Sequence, residues 1–132
     1  MVLDTHALIW WVSDPTRVPA KARRLLDAAV KAGEKLTVSS ISIWEVAMLV
    51  DRGRLTLTLA LDVWIEQVES LPFLAFQPVD NRIASRAVRL DGFPHRDPAD
   101  RMIAATALEL GATLITADAR LRGYTPVKTV WD

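Results

Sequence analysis

The chain has 132 residues, 51% of them hydrophobic, so it is long enough to bury a core and too apolar to be disordered. Its sixteen basic and sixteen acidic residues cancel, so the net charge gives no sign of a nucleic-acid partner. Cysteine is absent, which excludes disulfides and thiolate metal sites. Any metal must therefore be held by oxygen ligands or by one of only two histidines.

Apolar periodicity predicts short strands that alternate with helices. Strands are expected at residues 2–3, 36–39, 73–79, 113–116 and 127–131. Helices are expected at residues 7–12, 19–30, 40–51, 59–70, 81–90 and 98–110. This alternation indicates an α/β fold with a mainly parallel sheet, and we expect a single domain over residues 1–132. The pattern leaves the strand order open.

The N-terminal residues lack the basic and long apolar regions of a signal peptide. No apolar run in the sequence approaches the ~20 residues of a membrane span. We therefore expect a cytoplasmic protein with no membrane partner. Five tryptophans in so short a chain suggest that a partner covers some apolar surface, although a tryptophan-rich core explains them equally simply.

Four carboxylates are expected at one edge of the sheet. Asp4 and Asp118 follow predicted strands, and Glu45 and Asp100 lie in the first two turns of predicted helices. Helices that connect parallel strands begin at the edge where the strands end, and ligands bind there. Four acids at one edge repel one another unless a cation compensates them. Oxygen ligands favour Mg²⁺ or Mn²⁺, and such a site suits phosphodiester cleavage.

Each acid also has an ordinary structural explanation. Asp4, Asp97 and Asp118 can cap the helices that follow them, and Pro98 is favourable at a first helical position. Asp100 is favoured by the helix dipole without any metal. Glu45 is harder to explain in this way because its neighbours along the chain are apolar, and its structural alternative is a partly exposed position at the rim.

The segments that carry these acids resemble the PIN-domain family, especially its VapC-type toxin branch. The resemblance spans nearly the whole chain in the family's order and spacing. The matching segments are residues 3–11 (LDTHALIWW), 39–47 (SSISIWEVA), 53–55 (GRL), 95–107 (HRDPADRMIAATA) and 114–118 (LITAD). The resemblance implies a three-layer α/β/α sandwich. It also implies a Mg²⁺- or Mn²⁺-dependent endoribonuclease that acts as the toxin of a toxin–antitoxin pair.

The resemblance also assigns roles to residues of this chain. It implies that Asp4 and Asp100 are direct metal ligands, and that Glu45 and Asp118 complete the metal shell or orient the attacking water. It implies that Thr116 donates a hydrogen bond to a carboxylate.

The roles of Asp97 and Arg101 stay open. We interpret Asp97 first as a helix cap and second as a member of the metal site. Arg101 either pairs with a neighbouring acid, which we favour, or contacts substrate phosphate. His6 and His95 are not expected to be catalytic, because a bound metal already supplies the nucleophile.

Partners follow from the same resemblance. They are an RNA substrate, a VapB-type antitoxin whose C-terminal segment crosses the active-site groove, and a second copy of the chain in a homodimer. The lack of net positive charge means that local arginines and the metal must hold the RNA.

Three other functions fit the sequence less well. A haloacid-dehalogenase-like phosphatase needs an Asp-x-Asp start, but His6 stands two residues after Asp4. A response-regulator receiver needs paired acids after the first strand and a lysine after a late strand, and neither is evident. A PIN scaffold that only binds RNA or a protein would require the loss of an acid.

Overall fold

The computed structural model describes residues 1–94 and 96–132. Its centre is a sheet of five parallel strands in the order β3-β2-β1-β4-β5. The strands are β1 (Val2–Leu3), β2 (Leu36–Ser39), β3 (Leu74–Gln77), β4 (Leu114–Ile115) and β5 (Thr129–Val130). The chain moves outward from β1 to β3 and then returns to the other side of β1. The switch point of the sheet, where a ligand crevice forms, therefore lies between β1 and β4.

Seven α-helices surround the sheet within the residues that the structure describes. They are α1 (Thr5–Ser13), α2 (Ala20–Lys31), α3 (Ser40–Asp51), α4 (Leu61–Ser70), α5 (Asn81–Val88), α6 (Pro98–Leu110) and α7 (Ala119–Gly123). A 3-10 turn over Pro15–Arg17 joins α1 to α2 and was not predicted. Gly111 ends α6 with φ of 59°, a left-handed conformation that glycine adopts without steric cost.

The two faces of the sheet carry separate cores, because successive residues of a strand point to opposite faces. Leu3 and Ile115 pack with apolar side chains of α1, α2 and α4. Val2 and Leu114 pack on the other face with α6 and α7. A third cluster joins α5 to α6 through Ile83 and Ala105. The predicted α/β/α layering is confirmed, and the sheet is entirely parallel over the strands described.

The predicted bounds differ from the structure mainly at the ends of elements. The first helix begins at Thr5, because Asp4 accepts a hydrogen bond from the Ala7 amide and so caps it two residues earlier than expected. The strands predicted at 113–116 and 127–131 pair over only two residues each. The helices predicted at 59–70 and 81–90 shorten to Leu61–Ser70 and Asn81–Val88. The strands are shorter than predicted because pairing partners, rather than local propensity, decide where a strand ends. The exposed helices are shorter because helix ends fray.

The structure also locates the five tryptophans. Trp64 and Trp131 are buried, Trp10 and Trp11 are half-buried, and Trp44 is 56% exposed on α3. None of the helices in residues 1–94 and 96–132 is long and apolar enough to cross a bilayer.

Candidate active site

Asp4 lies at the carboxyl end of β1, where its two oxygens have different partners. Oδ1 accepts a hydrogen bond of 2.8 Å from the Ala7 amide and caps α1. Oδ2 accepts a hydrogen bond from the hydroxyl of Thr116, which follows the neighbouring strand β4. The side chain is almost completely buried. Asp4 therefore caps α1 and also lies in the candidate site.

Thr116 also positions the next acid of the chain. Its Oγ1 accepts a hydrogen bond of 3.0 Å from the Asp118 amide, while Asp118 Oδ1 caps α7 through the amides of Arg120 and Leu121. Thr116 is fully buried and Asp118 is half-buried. One hydroxyl thus ties the ends of β1 and β4 together across the switch point.

Glu45 enters the site from the second turn of α3. Its Oε1 lies 2.5 Å from the Thr5 hydroxyl, and an ionised carboxylate can only accept, so Thr5 donates to it. The Thr5 oxygen also lies 3.0 Å from the Ser42 hydroxyl, one turn before Glu45 on α3. Thr5 was not predicted as a site residue, because the first helix was expected to begin two residues later. The available signal was the position of Thr5 directly after Asp4.

Asp97 and Asp100 lie at the start of α6. Asp97 Oδ1 accepts a hydrogen bond of 2.9 Å from the Ala99 amide and therefore caps the helix, as expected. Its carboxylate also approaches the acidic cluster, because Glu45, Asp97 and Asp100 each place a ligand atom within 4.8 Å of the other two. Asp97 therefore has the geometry of a cap and of a metal ligand at once.

The four acids that the sequence placed at one sheet edge share a single cavity of about 290 Å³. Asp4, Glu45, Asp100 and Asp118 line it together with Thr5, His6, Trp10 and Ala117. They come from four separate segments of the chain, which the parallel sheet brings to its carboxyl edge. No lysine or arginine is found among the described residues that line this cavity.

The electrostatics of the cavity disfavour four negative charges. Burial raises the pKa of Asp4 to about 6, although hydrogen bonds from Thr116 and the Ala7 amide act in the opposite direction. Burial, followed by the negative charge of Asp97, raises the pKa of Asp100 to about 8. Glu45, Asp118 and Asp4 repel the Asp100 carboxylate further. A bound cation would relieve this repulsion.

The donor set fits a hard divalent cation. Opposite oxygen ligands of Mg²⁺ stand ~4.2 Å apart, twice a bond of about 2.1 Å. Glu45, Asp97 and Asp100 each have a carboxylate oxygen within 4.8 Å of the other two, which is close enough for the three to hold one ion. Thiolate ligands are excluded because the chain has no cysteine.

The remaining sequence candidates lie in different places. The guanidinium of Arg101 donates to the Ala87 carbonyl at 3.0 Å and lies 5.2 Å from the centre of the Phe93 ring. These contacts direct it towards the end of α5. His6 is exposed and lies in the cavity wall, 5.6 Å from the Trp10 ring centre. His95 lies outside the described residues.

Comparison with known proteins agrees with the fold. The PIN-domain family model matches residues 1–125. Ribonuclease VapC22 of Mycobacterium tuberculosis is 36% identical to this chain over 135 residues, covering 99% of this chain and 98% of the relative. This chain belongs to the PIN-domain family.

Solved structures share the fold at lower identity. VapBC2 from Rickettsia felis, bound to a promoter DNA fragment, aligns with a TM-score of 0.73 and 17% identity over 99% of this chain and 98% of the other. A toxin–antitoxin complex from Klebsiella pneumoniae aligns with a TM-score of 0.61 and 21% identity over 96% and 93%. These likenesses place the chain among PIN folds over almost its full length.

Proposed function

We propose that this chain is a Mg²⁺- or Mn²⁺-dependent endoribonuclease, a single catalytic domain over residues 1–132 that acts as the toxin of a toxin–antitoxin pair in the cytoplasm. The observation that carries the proposal is the cavity at the switch point of the sheet, lined by four carboxylates from four segments. The 36% identical relative, itself named a ribonuclease, supports RNA as the substrate.

The bound metal would activate water and stabilise the negative charge that develops on the phosphate. Asp4 and Asp100 are the proposed direct ligands, and Asp97 can join them because of its distance to Asp100. Glu45 and Asp118 complete the metal shell or orient the attacking water. Thr116 and Thr5 fix the oxygens of Asp4 and Glu45, so that these two carboxylates need little reorganisation when RNA arrives.

The experiment incubates purified protein with a mixture of RNAs, with and without Mg²⁺ or Mn²⁺. Asp4→Ala and Asp100→Ala are expected to abolish cleavage, whereas Asp62→Ala, which removes an exposed acid of α4, is expected to retain it. Unchanged cleavage by both site variants would reject the assignment. If cleavage in EDTA equalled cleavage with Mg²⁺ or Mn²⁺, the proposed metal dependence would be rejected. If no RNA were cleaved, the proposed ribonuclease activity would be rejected.

The proposed protein partner is a VapB-type antitoxin. A cleft between the end of α1 and α4, lined mainly by apolar side chains, supports it. The acidic cavity is also suited to a basic side chain from such a partner. Co-expression with the product of a small neighbouring gene is expected to yield a complex without RNase activity. Full activity in a purified complex would contradict inhibition at this site.

A homodimer is proposed from the surface of α3. Most residues of this helix between Ile41 and Val50 are apolar, and its Trp44 is 56% exposed. A large apolar side chain exposed on such a helix marks a surface that another protein can cover. A second copy of the chain is the proposed cover, and light scattering of the purified protein tests it.

A further inference from the structure

A row of aromatic rings leads out of the acidic cavity. His6 and Trp10 lie in the cavity wall, with ring centres 5.6 Å apart, and the ring centre of Trp10 lies 5.7 Å from that of Trp131. Trp131 in turn lines a second cavity of about 450 Å³ at the edge of the sheet. We call His6, Trp10 and Trp131 the aromatic path.

Exposed cations accompany this path. The guanidinium carbon of Arg17 lies 4.3 Å from the centre of the Trp10 ring. Lys21 and Arg122 lie in the wall of the second cavity, where both contact Asp132. Three positive charges therefore stand beside the aromatic path, and Asp132 is the one acid among the described residues that line the second cavity.

The first cavity alone is a poor place for RNA to bind. Its described lining offers four carboxylates and no lysine or arginine, so it repels a phosphate that carries no metal. Affinity for the rest of the RNA must come from groups outside the carboxylates. Proteins hold unpaired nucleotides by stacking bases on aromatic rings or guanidinium planes and by pairing cations with phosphates.

We propose that the aromatic path and Arg17 form a binding site for an unpaired nucleotide that adjoins the cleaved phosphate. This proposal rests on the proposed ribonuclease function. The base stacks against His6 and Trp10, Arg17 contacts the base or its phosphate, and the chain continues towards Lys21 and Arg122. Bases within a duplex are already stacked on each other, so the site selects single-stranded RNA.

Part of this arrangement also serves packing, and the test must separate the two roles. Trp131 is only 8% exposed, and Trp10 packs partly against the main core. Arg17 and His6 are exposed, so their replacement leaves the core intact. Trp11 provides a matched control, since it belongs to the same helix but packs against Phe73 outside the acidic cavity.

The experiment measures single-turnover cleavage of a short unstructured RNA in Mg²⁺ at increasing enzyme concentration. The variants are Trp10→Leu and Arg17→Gln. The controls are Trp11→Leu and Arg82→Gln, which changes an exposed arginine of α5. Trp10→Leu is expected to raise the half-saturating concentration by about five-fold or more, the scale of losing one stacked base. Arg17→Gln is expected to raise it in the same direction, and the controls are expected to change it by less than about two-fold.

A second series replaces single nucleotides near the cut with abasic ones. The abasic replacement that weakens RNA binding by wild type most is expected to weaken RNA binding by Trp10→Leu much less, because the stacking partner is already absent in that variant. A structural role of Trp10 cannot produce this coupling.

Three outcomes would overturn the proposal. The first is that abasic replacement raises the half-saturating concentration equally for wild type and Trp10→Leu. The second is that the half-saturating concentration of Trp10→Leu is no higher than that of Trp11→Leu. The third is that wild type cleaves a duplex of the same sequence as well as the single strand. If wild type cuts no RNA, the ribonuclease proposal fails, and anisotropy of the same labelled RNA still tests the binding site. Unchanged RNA affinity of Trp10→Leu and Arg17→Gln in that assay would reject the site.

Discussion

The Thr5 hydroxyl donates a 2.5 Å hydrogen bond to Glu45, although the two residues are 40 positions apart in sequence. Thr5 is buried in the first turn of α1, directly after Asp4, which caps that helix. The start of α1 therefore holds two acids, Asp4 by its own backbone position and Glu45 through the Thr5 side chain. This link connects α1 to α3 at the point where both face the cavity.

Removing this hydroxyl is expected to impair cleavage more than folding. Thr5→Val keeps the shape of the side chain and leaves Glu45 without its donor. We expect cleavage to fall about 10- to 100-fold, as for other groups that orient metal ligands. The measurement is single-turnover cleavage with melting temperature recorded beside it. Thr106→Val is the control, because Thr106 is buried and its hydroxyl donates to the Met102 carbonyl of the same helix, α6. Similar losses in both variants would contradict a positioning role for Thr5.

Thr116 is expected to set the pH range of the reaction through Asp4. Its hydrogen bond lowers the pKa of Asp4, against the effect of burial. Thr116→Val removes this donor, so the pKa rises further and the ionised form that binds metal appears only at higher pH. The acid limb of the rate against pH is expected to move to higher pH, while that of Thr106→Val stays in place. An unshifted limb in Thr116→Val would contradict this link.

Sequence reasoning located the acids because a simple rule governs them. Asp4 and Asp118 directly follow buried apolar segments, and residues after parallel strands meet at one edge of the sheet. The same rule needs no exact strand bounds, so the two-residue length of β1 and β4 did no harm. The strand order was out of reach, because nothing local to a strand states which neighbour it pairs with.

Side-chain partnerships were harder to predict. The bond from Thr5 to Glu45 depends on how α3 packs on α1, which periodicity does not give. Asp97 was interpreted mainly as a cap because its local pattern explained it fully. Only the crossing of α3 and α6 shows that the same carboxylate approaches Glu45. Tertiary contact thus adds a second role to a residue whose first role is local.

Stability without metal is expected to decrease with pH. A carboxyl whose pKa is higher in the folded state binds its proton more tightly there, so its contribution is complete below the unfolded value of 3.8. That contribution is lost as pH rises through about 6 for Asp4 and about 8 for Asp100. Asp100→Asn carries no such charge. The melting temperature of this variant in EDTA, relative to that of wild type, is therefore expected to rise from pH 5 to pH 9.

Two comparisons check this prediction. Asp62→Asn, an exposed change on α4, is expected to keep a constant difference from wild type over the same range. Added Mg²⁺ or Mn²⁺ is expected to raise the melting temperature of wild type more at pH 8 than at pH 5, because protons compete with the metal. If the difference in melting temperature between Asp100→Asn and wild type did not change with pH, this would contradict the raised pKa of Asp100.

The exposed face of α3 makes a prediction about assembly. Trp44→Gln removes the large apolar side chain without adding charge beside Glu45, and we expect it to weaken the dimer at least ten-fold, as for a central interface tryptophan. Val63→Gln, on the exposed side of α4, is the control. Light scattering over a concentration series gives the oligomer. A monomeric wild type, or equal dissociation of both variants, would contradict the assignment of this surface.

The two roles of Asp97 can be separated because asparagine caps helices as well as aspartate does. Asp97→Asn keeps the hydrogen bond to the Ala99 amide but removes the charge beside Asp100. If Asp97 holds the metal, this variant should keep its fold and need about ten-fold more Mg²⁺ for half-maximal cleavage. Asp80→Asn is a matched control, because Asp80 caps α5 through the Ile83 amide at 2.9 Å and lies outside the cavity. Asp97→Ala loses the cap as well, which costs about 1 kcal/mol of stability. Equal metal requirements for Asp97→Asn and Asp80→Asn would leave capping as the sole function of Asp97, with Asp100 as the α6 ligand.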